Sequence, residues 1–291
     1  MRRYYFSVAN VKIVVETDEQ LDVTPYSEFV IADQVEPDIL IETSDFLPEN
    51  DDENKIFEES IRDRTLIWYK KENDGFLMRV KYGDEEKFYL DANKDFSHIK
   101  IMKIDEERDF SSMVFNAVGE TIFKNYLCTR RGVILHAVAI NWNNQGILFS
   151  GTSGTGKTTQ ADLWSRYKGS YIVNGDKPNL LITDSGVLAY GSIWSGSSEI
   201  YKNEHVKANA VIFIEQHQEN KIRRLTQPQA SIQMMRRCVM PFFAPDLVDI
   251  TMETIEEITD SVPMFLLQCR PDEEAVNVAY DELIKNNYIH E

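Results

Sequence analysis

The stretch FSGTSGTGKTTQAD, from Phe149 to Asp162, decides how this 291-residue chain is read. Its centre, Gly151-Thr-Ser-Gly-Thr-Gly-Lys157-Thr158, matches the P-loop pattern G-x-x-x-x-G-K-[ST] at every fixed position. Each position has a physical role. The glycines let the backbone curl until its N–H groups point inward at phosphate oxygens. Lys157 carries a point charge to the β/γ end of a phosphate chain, and the Thr158 hydroxyl suits Mg²⁺. A helix starting here favours an anion at its N-terminus. The apolar run GILFS stands before the loop and the helical pattern TQADLWSRY after it, the strand–loop–helix setting the motif requires. The expected phosphate-binding residues are Gly151, Thr152, Ser153, Gly154, Thr155, Gly156, Lys157, Thr158 and Thr159, with ATP and Mg²⁺ as cofactors.

Outward from the loop, the C-terminal side mixes strands and helices. VILHAVAI (133–140) reads as a buried strand, NWNNQG as a turn, and ILFS as a second strand. ANAVIFIEQ (208–216) and PMFLLQC (263–269) are further strands, and DEEAVNVAYDELIK (272–285) is a closing helix with an acidic first turn. Val114, Val118, Ile122 and Tyr126 recur at four-residue spacing and predict a helix, with Gly132 as its C-cap. The first 108 residues read instead as short β-branched and aromatic runs: VKIVVET, EFVIA, DILIET, TLIWYKK, FLMRVKY and KFYLDA. Turns at Asn50–Asn54, Glu72–Gly75 and Gly83–Glu86 separate them, which points to an antiparallel sheet. The polar stretch IDEERDFSS (104–112) is the expected joint. The chain therefore divides into a β-rich N-terminal domain, 1–108, and an α/β domain, 109–291.

Composition narrows the function classes. Hydrophobic residues make up 43% and charged residues 27%, as in ordinary globular proteins. The formal net charge of −17 disfavours broad contact with nucleic-acid phosphates. Cys128, Cys238 and Cys269 form no CxxC pair and no zinc spacing, and read as buried thiols of a reducing cytosol. No signal peptide is recognisable, and no run approaches the ~20 apolar residues of a membrane span. A cytoplasmic protein without membrane or nucleic-acid partners is expected.

Beyond the loop, SYIVNGDKPNLLI delivers Asp176 just past an apolar run, well placed for metal or base work; NGD is equally a turn sequence. His136 lies in an apolar strand, where a histidine is more often a satisfied core residue. Arg236 and Arg237, in MMRRC, offer a clamp for a transferring phosphoryl group or else a solvated basic pair on a helix. His98, His205, His217 and His290 are scattered and fit no metal pattern.

LHAVAI, GILFSGTSGTGKTT, IVNGDKP, AYGSIWSG and the pair Asn203–Glu204 together resemble the HPr kinase/phosphorylase-related kinases, of the phosphoenolpyruvate carboxykinase-like branch of P-loop proteins. The likeness covers about residues 113–285 and is most specific from His136 to Glu204. It is nearest to the stand-alone type found in bacterial peptide-biosynthesis clusters, including lasso-peptide kinases. The resemblance implies a phosphoenolpyruvate carboxykinase/HPr-kinase-like α/β fold. It also implies roles: Asp176 as general base and metal ligand beside Thr158, His136 tuning that carboxylate, and Lys157 stabilising charge. Ser195 and Gly196 would line the nucleotide or acceptor side, with Glu199 and Glu204 as weaker candidates.

This chain departs from the family pattern. Lys177 stands where a second Asp is expected; if the pair instead falls one residue earlier, Asp176 is its second member and Gly175 replaces the first. Thr159 stands where HPr kinases carry an acid, and their C-terminal signature is not recognisable. HPr itself and phosphorylase activity are therefore not expected. The expected function is ATP-dependent phosphorylation of a Ser or Thr hydroxyl on a peptide or small-protein acceptor. A small-molecule kinase or a non-catalytic nucleotide-binding regulator are the alternatives. A homo-oligomer is left as an open option.

Overall fold

The computed structural model describes residues 1–32, 34–45, 54–61, 63–104, 110–196, 200 and 202–291. It is a mixed α/β structure with two sheets and a few helices, and it resolves into two compact units. One unit holds Met1–Thr129 and Pro241–Val248; the other holds Arg130–Met240 and Asp249–Glu291.

The first unit is built on an eight-stranded sheet of β1 (Arg2–Val8), β2 (Val11–Thr17), β3 (Ile39–Thr43), β4 (Lys55–Ile61), β5 (Arg64–Lys70), β6 (Phe76–Tyr82), β7 (Glu85–Ala92) and β8 (His98–Lys103). The order is β1-β2-β3-β8-β7-β6-β5-β4. The sheet is antiparallel except where β3 pairs parallel with both β2 and β8. β1, β4 and β8 were not among the expected strands. EFVIA forms no strand: Thr24–Phe29 is a 3₁₀ helix, begun by Pro25 at its first turn. The expected turn at Asn50–Asn54 lies outside the described residues up to Glu53.

Aromatic side chains fill this unit's core. Trp68 stacks on Phe243 with ring centres 3.7 Å apart, and Phe76 meets the same ring edge-on at 5.1 Å. Phe243 comes from the Pro241–Val248 segment, which explains why that short piece belongs here.

Phe110–Ser112, a π-helical run Met113–Val118 and α1 (Gly119–Cys128) follow, also in the first unit. Residues 105–109 of the expected joint lie outside the described residues. The units divide not near residue 108 but after Thr129, because the helical run packs on the N-terminal strands. Phe115 meets Phe6 edge-on at 5.4 Å and Tyr26 at 4.4 Å, and the Ser111 hydroxyl accepts from the Asp22 amide. The predicted cap at Gly132 also shifts. The left-handed residue is Arg131, at φ +57°, and Gly132 already begins the next strand.

In the second unit, β9 (Gly132–Ile134), β10 (Ala137–Trp142), β11 (Gln145–Ser150), β12 (Tyr171–Asn174), β13 (Asn179–Thr183), β14 (Gly186–Tyr190), β15 (His205–Gln216), β16 (Lys221–Arg224) and β17 (Met264–Cys269) form one sheet. Its centre is parallel: β11 pairs with β15, and β15 with β17. Asn143 and Asn144 adopt positive φ, the geometry of a tight hairpin turn, and join β10 to β11. Helices α2 (Lys157–Lys168), α3 (Gln227–Met235), α4 (Pro245–Ser261, of this unit from Asp249) and α5 (Glu273–Lys285) complete it. Trp164, Phe149, Ile212, Phe265 and Leu283 are among the buried side chains where α2 and α5 cover the parallel strands. The expected strand VILHAVAI is broken at Leu135 and His136, a break that matters for the site.

Candidate functional site

The glycine-rich loop leaves the C-terminal end of the parallel strand β11 and enters α2, the crevice position where open α/β sheets gather ligands. Its turns depend on glycine at two points, Gly154 at φ +79° and Gly156 at φ +103°. Gly151 is held differently. A Cβ there would lie 2.5 Å from Thr155 Oγ1, so only hydrogen fits. The Thr155 hydroxyl donates to the Thr152 carbonyl, and the Gln216 amide donates to the Gly154 carbonyl from β15. Thr152, Ser153, Thr158 and Thr159 are exposed along the loop, while Lys157 is buried.

Lys157 Nζ reaches back over the loop to the carbonyls of Gly151 and Thr152 at 3.2 and 3.4 Å, and to His136 Nε2 at 2.8 Å. His136 Nδ1 lies 3.1 Å from Asp176 Oδ1. The hydrogen-bond network assigns the tautomer. An ammonium can only donate, so Nε2 accepts, and Nδ1 carries the proton given to Asp176. The three residues form one chain, Lys157 to His136 to Asp176, joined by hydrogen bonds through a neutral imidazole.

Local structure fixes this chain. His136 sits in the gap between β9 and β10, so its backbone is free to pair elsewhere. Its N–H donates to the Arg237 carbonyl at 2.8 Å, and its own carbonyl accepts from the Ser150 hydroxyl at 2.8 Å. The next amide, Ala137, donates to the Asp176 carbonyl. Asp176 is held by Asn174, whose side-chain oxygen accepts from the amides of both Asp176 and Lys177. The buried Asn174 amide group in turn donates to the Ser192 carbonyl at 3.0 Å. NGD is thus a turn and also presents the carboxylate; the two readings of the sequence coexist. Asn174 and Ser150 carry no signal by residue type alone.

Burial is the largest influence on both ends of the chain. It pushes the Asp176 carboxyl up, but the hydrogen bond from His136 and the ammonium groups of Lys177 and Lys157 outweigh it, leaving the carboxyl below its ordinary range. Burial pushes Lys157 down; Asp176 partly offsets this, and Arg237 adds to it.

Other candidates are distributed around the cluster. Gly196 abuts the Asp176 carboxylate: a Cβ on it would lie 2.6 Å from Oδ2. Ser195 is buried beside it in sequence, and Glu199 lies outside the described residues. Glu204 accepts from the Tyr171 hydroxyl at 2.9 Å and faces Lys202, so its carboxylate is occupied at the β12 edge. Arg236 is exposed, as expected of a solvated basic residue. Arg237 instead lines a cavity of about 410 Å³ with Gly151–Thr155, Glu215 and Gln233. Its buried Nε finds no partner among the described residues. A second cavity, of about 390 Å³, adjoins the loop on the side of Thr159 and Gln160 and includes His217, which the sequence left unassigned.

Lys157 and Arg237 are the cations beside the loop, whose last turn leads into the N-terminus of α2. No group of three or more His, Cys, Asp or Glu able to hold a metal exists among the described residues. Thr158 and Asp176 are a sparse donor set. That suits Mg²⁺, which takes one or two protein ligands and completes its shell from phosphates and water, rather than a dedicated metal cage. The three cysteines are buried and unbridged, and burial pushes the Cys269 thiol up to about 11. Among the described residues no helix is long and apolar enough to cross a membrane.

The family model of the SynChlorMet cassette protein ScmC matches residues 100–270, more than half of the chain. The chain belongs to the ScmC family. The match spans the glycine-rich loop, His136, Asp176 and Arg237, and begins only near the end of the N-terminal sheet. No curated protein matches the chain. Among solved structures, the Hpr(Ser) kinase/phosphatase from Coxiella burnetii is similar at 12% identity and a TM-score of 0.31, over 53% of this chain and 89% of that one.

Proposed function

We propose that this ScmC-family chain is an ATP-dependent kinase that phosphorylates a Ser or Thr hydroxyl on a peptide or small protein. Its second unit would be a P-loop domain of the phosphoenolpyruvate carboxykinase/HPr-kinase-like type, working in the cytoplasm. The observation that carries the reading is the hydrogen-bonded chain from Lys157 through His136 to Asp176, beside a loop shaped for phosphates. The peptide acceptor rests on the sequence resemblance.

In this reading the loop residues 151–159 hold the triphosphate, and Lys157 and Arg237 neutralise its terminal charge. Thr158 and Asp176 are the residues that would hold Mg²⁺, which would supply further neutralisation of the phosphate charge. Asp176, kept ionised, accepts the proton of the acceptor hydroxyl. The acceptor oxygen bonds to the γ-phosphorus as the bond from that phosphorus to the β,γ-bridging oxygen breaks, and ADP leaves with the electron pair. His136 orients the carboxylate and fixes which of its oxygens is free.

The test is transfer of γ-phosphate label from Mg-ATP to candidate peptides encoded beside the gene. Label on a peptide hydroxyl, lost in Asp176→Asn while ATP binding persists, supports the proposal. Label on a metabolite and on no peptide overturns the acceptor class. Function that survives Asp176→Asn in full overturns catalysis altogether.

A further inference from the structure

The stretch from Asn220 to Met240 departs from the rest of the chain in charge. It carries five cations, Lys221, Arg223, Arg224, Arg236 and Arg237, and no Asp or Glu, in a chain of net charge −17. Lys221 pairs with Glu219. Arg224 lies over the Tyr288 ring at 5.4 Å. Among the described residues none of the four arginines has a carboxylate partner. Cations on an edge strand discourage pairing with another chain, and β16, which pairs with β17 alone among the described strands, is such an edge. That role accounts for Arg223 and Arg224. It does not account for Arg236, at the end of a helix, or for the apolar side chains exposed beside it.

Helix α3 joins these groups into one stripe. Arg223 Nη1 donates to Gln229 Oε1 at 3.2 Å, and the same oxygen accepts from the Thr226 amide in the capping box of α3. The Arg223 guanidinium is thereby set against the first turn of the helix. Gln229, Ile232, Gln233 and Arg236 follow at three- and four-residue spacing, so they share one helix face. On that face Arg236 is exposed and Ile232 is 48% exposed; Met235, three residues beyond Ile232, is 40% exposed. At the border of the face, Gln233 lines the cavity beside the glycine-rich loop together with Arg237. The stripe runs from cation to apolar side chain to cation and ends beside the candidate site.

We propose that this stripe docks the acceptor peptide and selects acidic residues placed around an apolar one. The proposal rests on the kinase reading above and adds to it the sequence class of the acceptor.

Charge complementarity carries the assignment. A guanidinium presents a planar fork of donors that matches a carboxylate, and here two such forks stand exposed at either end of an apolar patch. Positions 229 and 236 lie about 10 Å apart along the helix axis. Residues i and i+4 of an extended peptide lie about 13 Å apart and point to the same side, a difference that long arginine side chains can close. The pattern Glu-x-Leu-x-Glu therefore sets its two carboxylates against Arg223 and Arg236 and its Leu against Ile232 and Met235. A peptide with Lys in place of Glu meets like charge at both ends.

The experiment measures transfer of γ-phosphate label from Mg-ATP by the full chain to short synthetic peptides. Each carries one Ser, with Glu-x-Leu-x-Glu on one side of it or the other; counterparts replace both Glu by Lys, or Leu by Ser. At low salt the Glu peptides should be labelled about tenfold faster than the Lys peptides, the scale of two exposed charge contacts. Raising the salt to about 0.5 M should shrink the preference to about twofold, because exposed pairs are screened. The double variant Arg223→Glu/Arg236→Glu should reverse the preference toward the Lys peptides, while ADP release with water as acceptor stays at the parental rate. A loss of folding cannot produce that reversal. Ile232→Ser should slow labelling of the Leu peptides by about threefold and leave their Ser counterparts unchanged. Equal labelling of Glu and Lys peptides by the parent chain overturns the proposal, as does a Glu preference retained in the double variant. A Leu advantage unchanged in Ile232→Ser overturns the assignment to this helix face. ADP release with no label on any peptide overturns the peptide acceptor and takes this proposal with it, whereas no ADP release at all overturns the kinase reading itself.

Discussion

Replacing Gly196 with alanine tests whether the position of the Asp176 carboxylate governs turnover. Gly196 has φ +59°, and a Cβ built on it would lie 2.6 Å from Asp176 Oδ2 and 2.8 Å from Cγ, whereas ordinary contact begins near 3.4 Å. The carboxylate must therefore give way by the better part of an ångström. Its bond from His136 Nδ1 is already 3.1 Å, so a shift of that size carries it out of hydrogen-bond reach. Misplacement of about 1 Å at a reacting group lowers rates by up to about a hundredfold, so a loss of roughly 10- to 100-fold is expected. The left-handed backbone adds a stability cost of about 1–2 kcal/mol for alanine, or roughly 2–6 °C in Tm for a chain of this size. The assay is ADP release from Mg-ATP with water as acceptor, alongside ATP affinity and the melting temperature. ATP affinity should stay within about threefold, because the three atoms nearest the added Cβ all belong to Asp176. The imidazole NMR signals of His136 should shift. Turnover at the parental rate in folded Gly196→Ala protein would refute the dependence on Asp176 geometry. A loss of affinity as large as the loss of turnover would move Gly196 to the nucleotide side.

Four further outcomes follow from the same geometry. Arg237→Gln should lower turnover by about 10- to 100-fold, the range of a lost charge-assisted contact, with a smaller loss of ATP affinity; an unchanged rate would return Arg237 to the role of a surface cation. Lys157→Met should abolish ATP binding in equilibrium dialysis, and retained affinity would refute the loop's proposed role. The same variant should alter the pH dependence of stability in a defined direction. Lys157 titrates in the folded chain below its ordinary value of about 10.4, so between the two values the unfolded chain binds more protons and stability rises with pH. Any melting-temperature advantage of Lys157→Met over the parent should be largest near neutral pH and shrink toward pH 10; an advantage that grows would contradict the sign. In the first unit, Phe243→Ala removes the ring stacked on Trp68 and should destabilise by about 3–5 kcal/mol in denaturant unfolding.

What could be read from the sequence was whatever a local pattern determines. The loop, its flanking strand and helix, and the hairpin at Asn143–Asn144 all follow from short-range chemistry, and the structure places each as expected. His136 could be singled out only by resemblance, and the position of Asp176 past an apolar run left it even between a site carboxylate and a turn residue. What brings them together is long-range. The His136 backbone pairs with Arg237, 101 residues later by number, and the adjoining Ala137 amide pairs with Asp176. No periodicity encodes such a break in a strand. The same reason left Arg237 open between a phosphoryl clamp and a solvated basic residue: its carbonyl accepts from the distant His136 amide, and it lines the cavity beside the loop. Asn174 and Ser150 were missed because they act on backbone atoms, and side-chain chemistry gives no warning of that. In the first unit the outer strands escaped notice for a different reason. β4 is exposed along most of its length, so it lacks the alternation by which a half-buried strand is recognised.

The energetics of Lys157 link stability to the proposed function. Its ammonium is disfavoured by burial, and its partners are a neutral imidazole and two carbonyls, which accept hydrogen bonds but bring no full negative charge. Asp176 supplies the nearest opposite charge, but through His136 rather than by direct contact. A phosphate chain seated in the loop would bring anionic oxygens to the same ammonium and allow it to leave His136 Nε2. The imidazole would then lose a donor on one side while keeping its bond to Asp176 on the other. Nucleotide occupancy and the state of the base would thereby be coupled through a single side chain. The coupling requires that His136 stay neutral, since a protonated ring could not accept from Lys157. Lys177, beside Asp176 in sequence, acts on the same carboxyl. An added ammonium favours the ionised form of Asp176, whereas a second carboxylate would raise its affinity for a proton before any acceptor arrived.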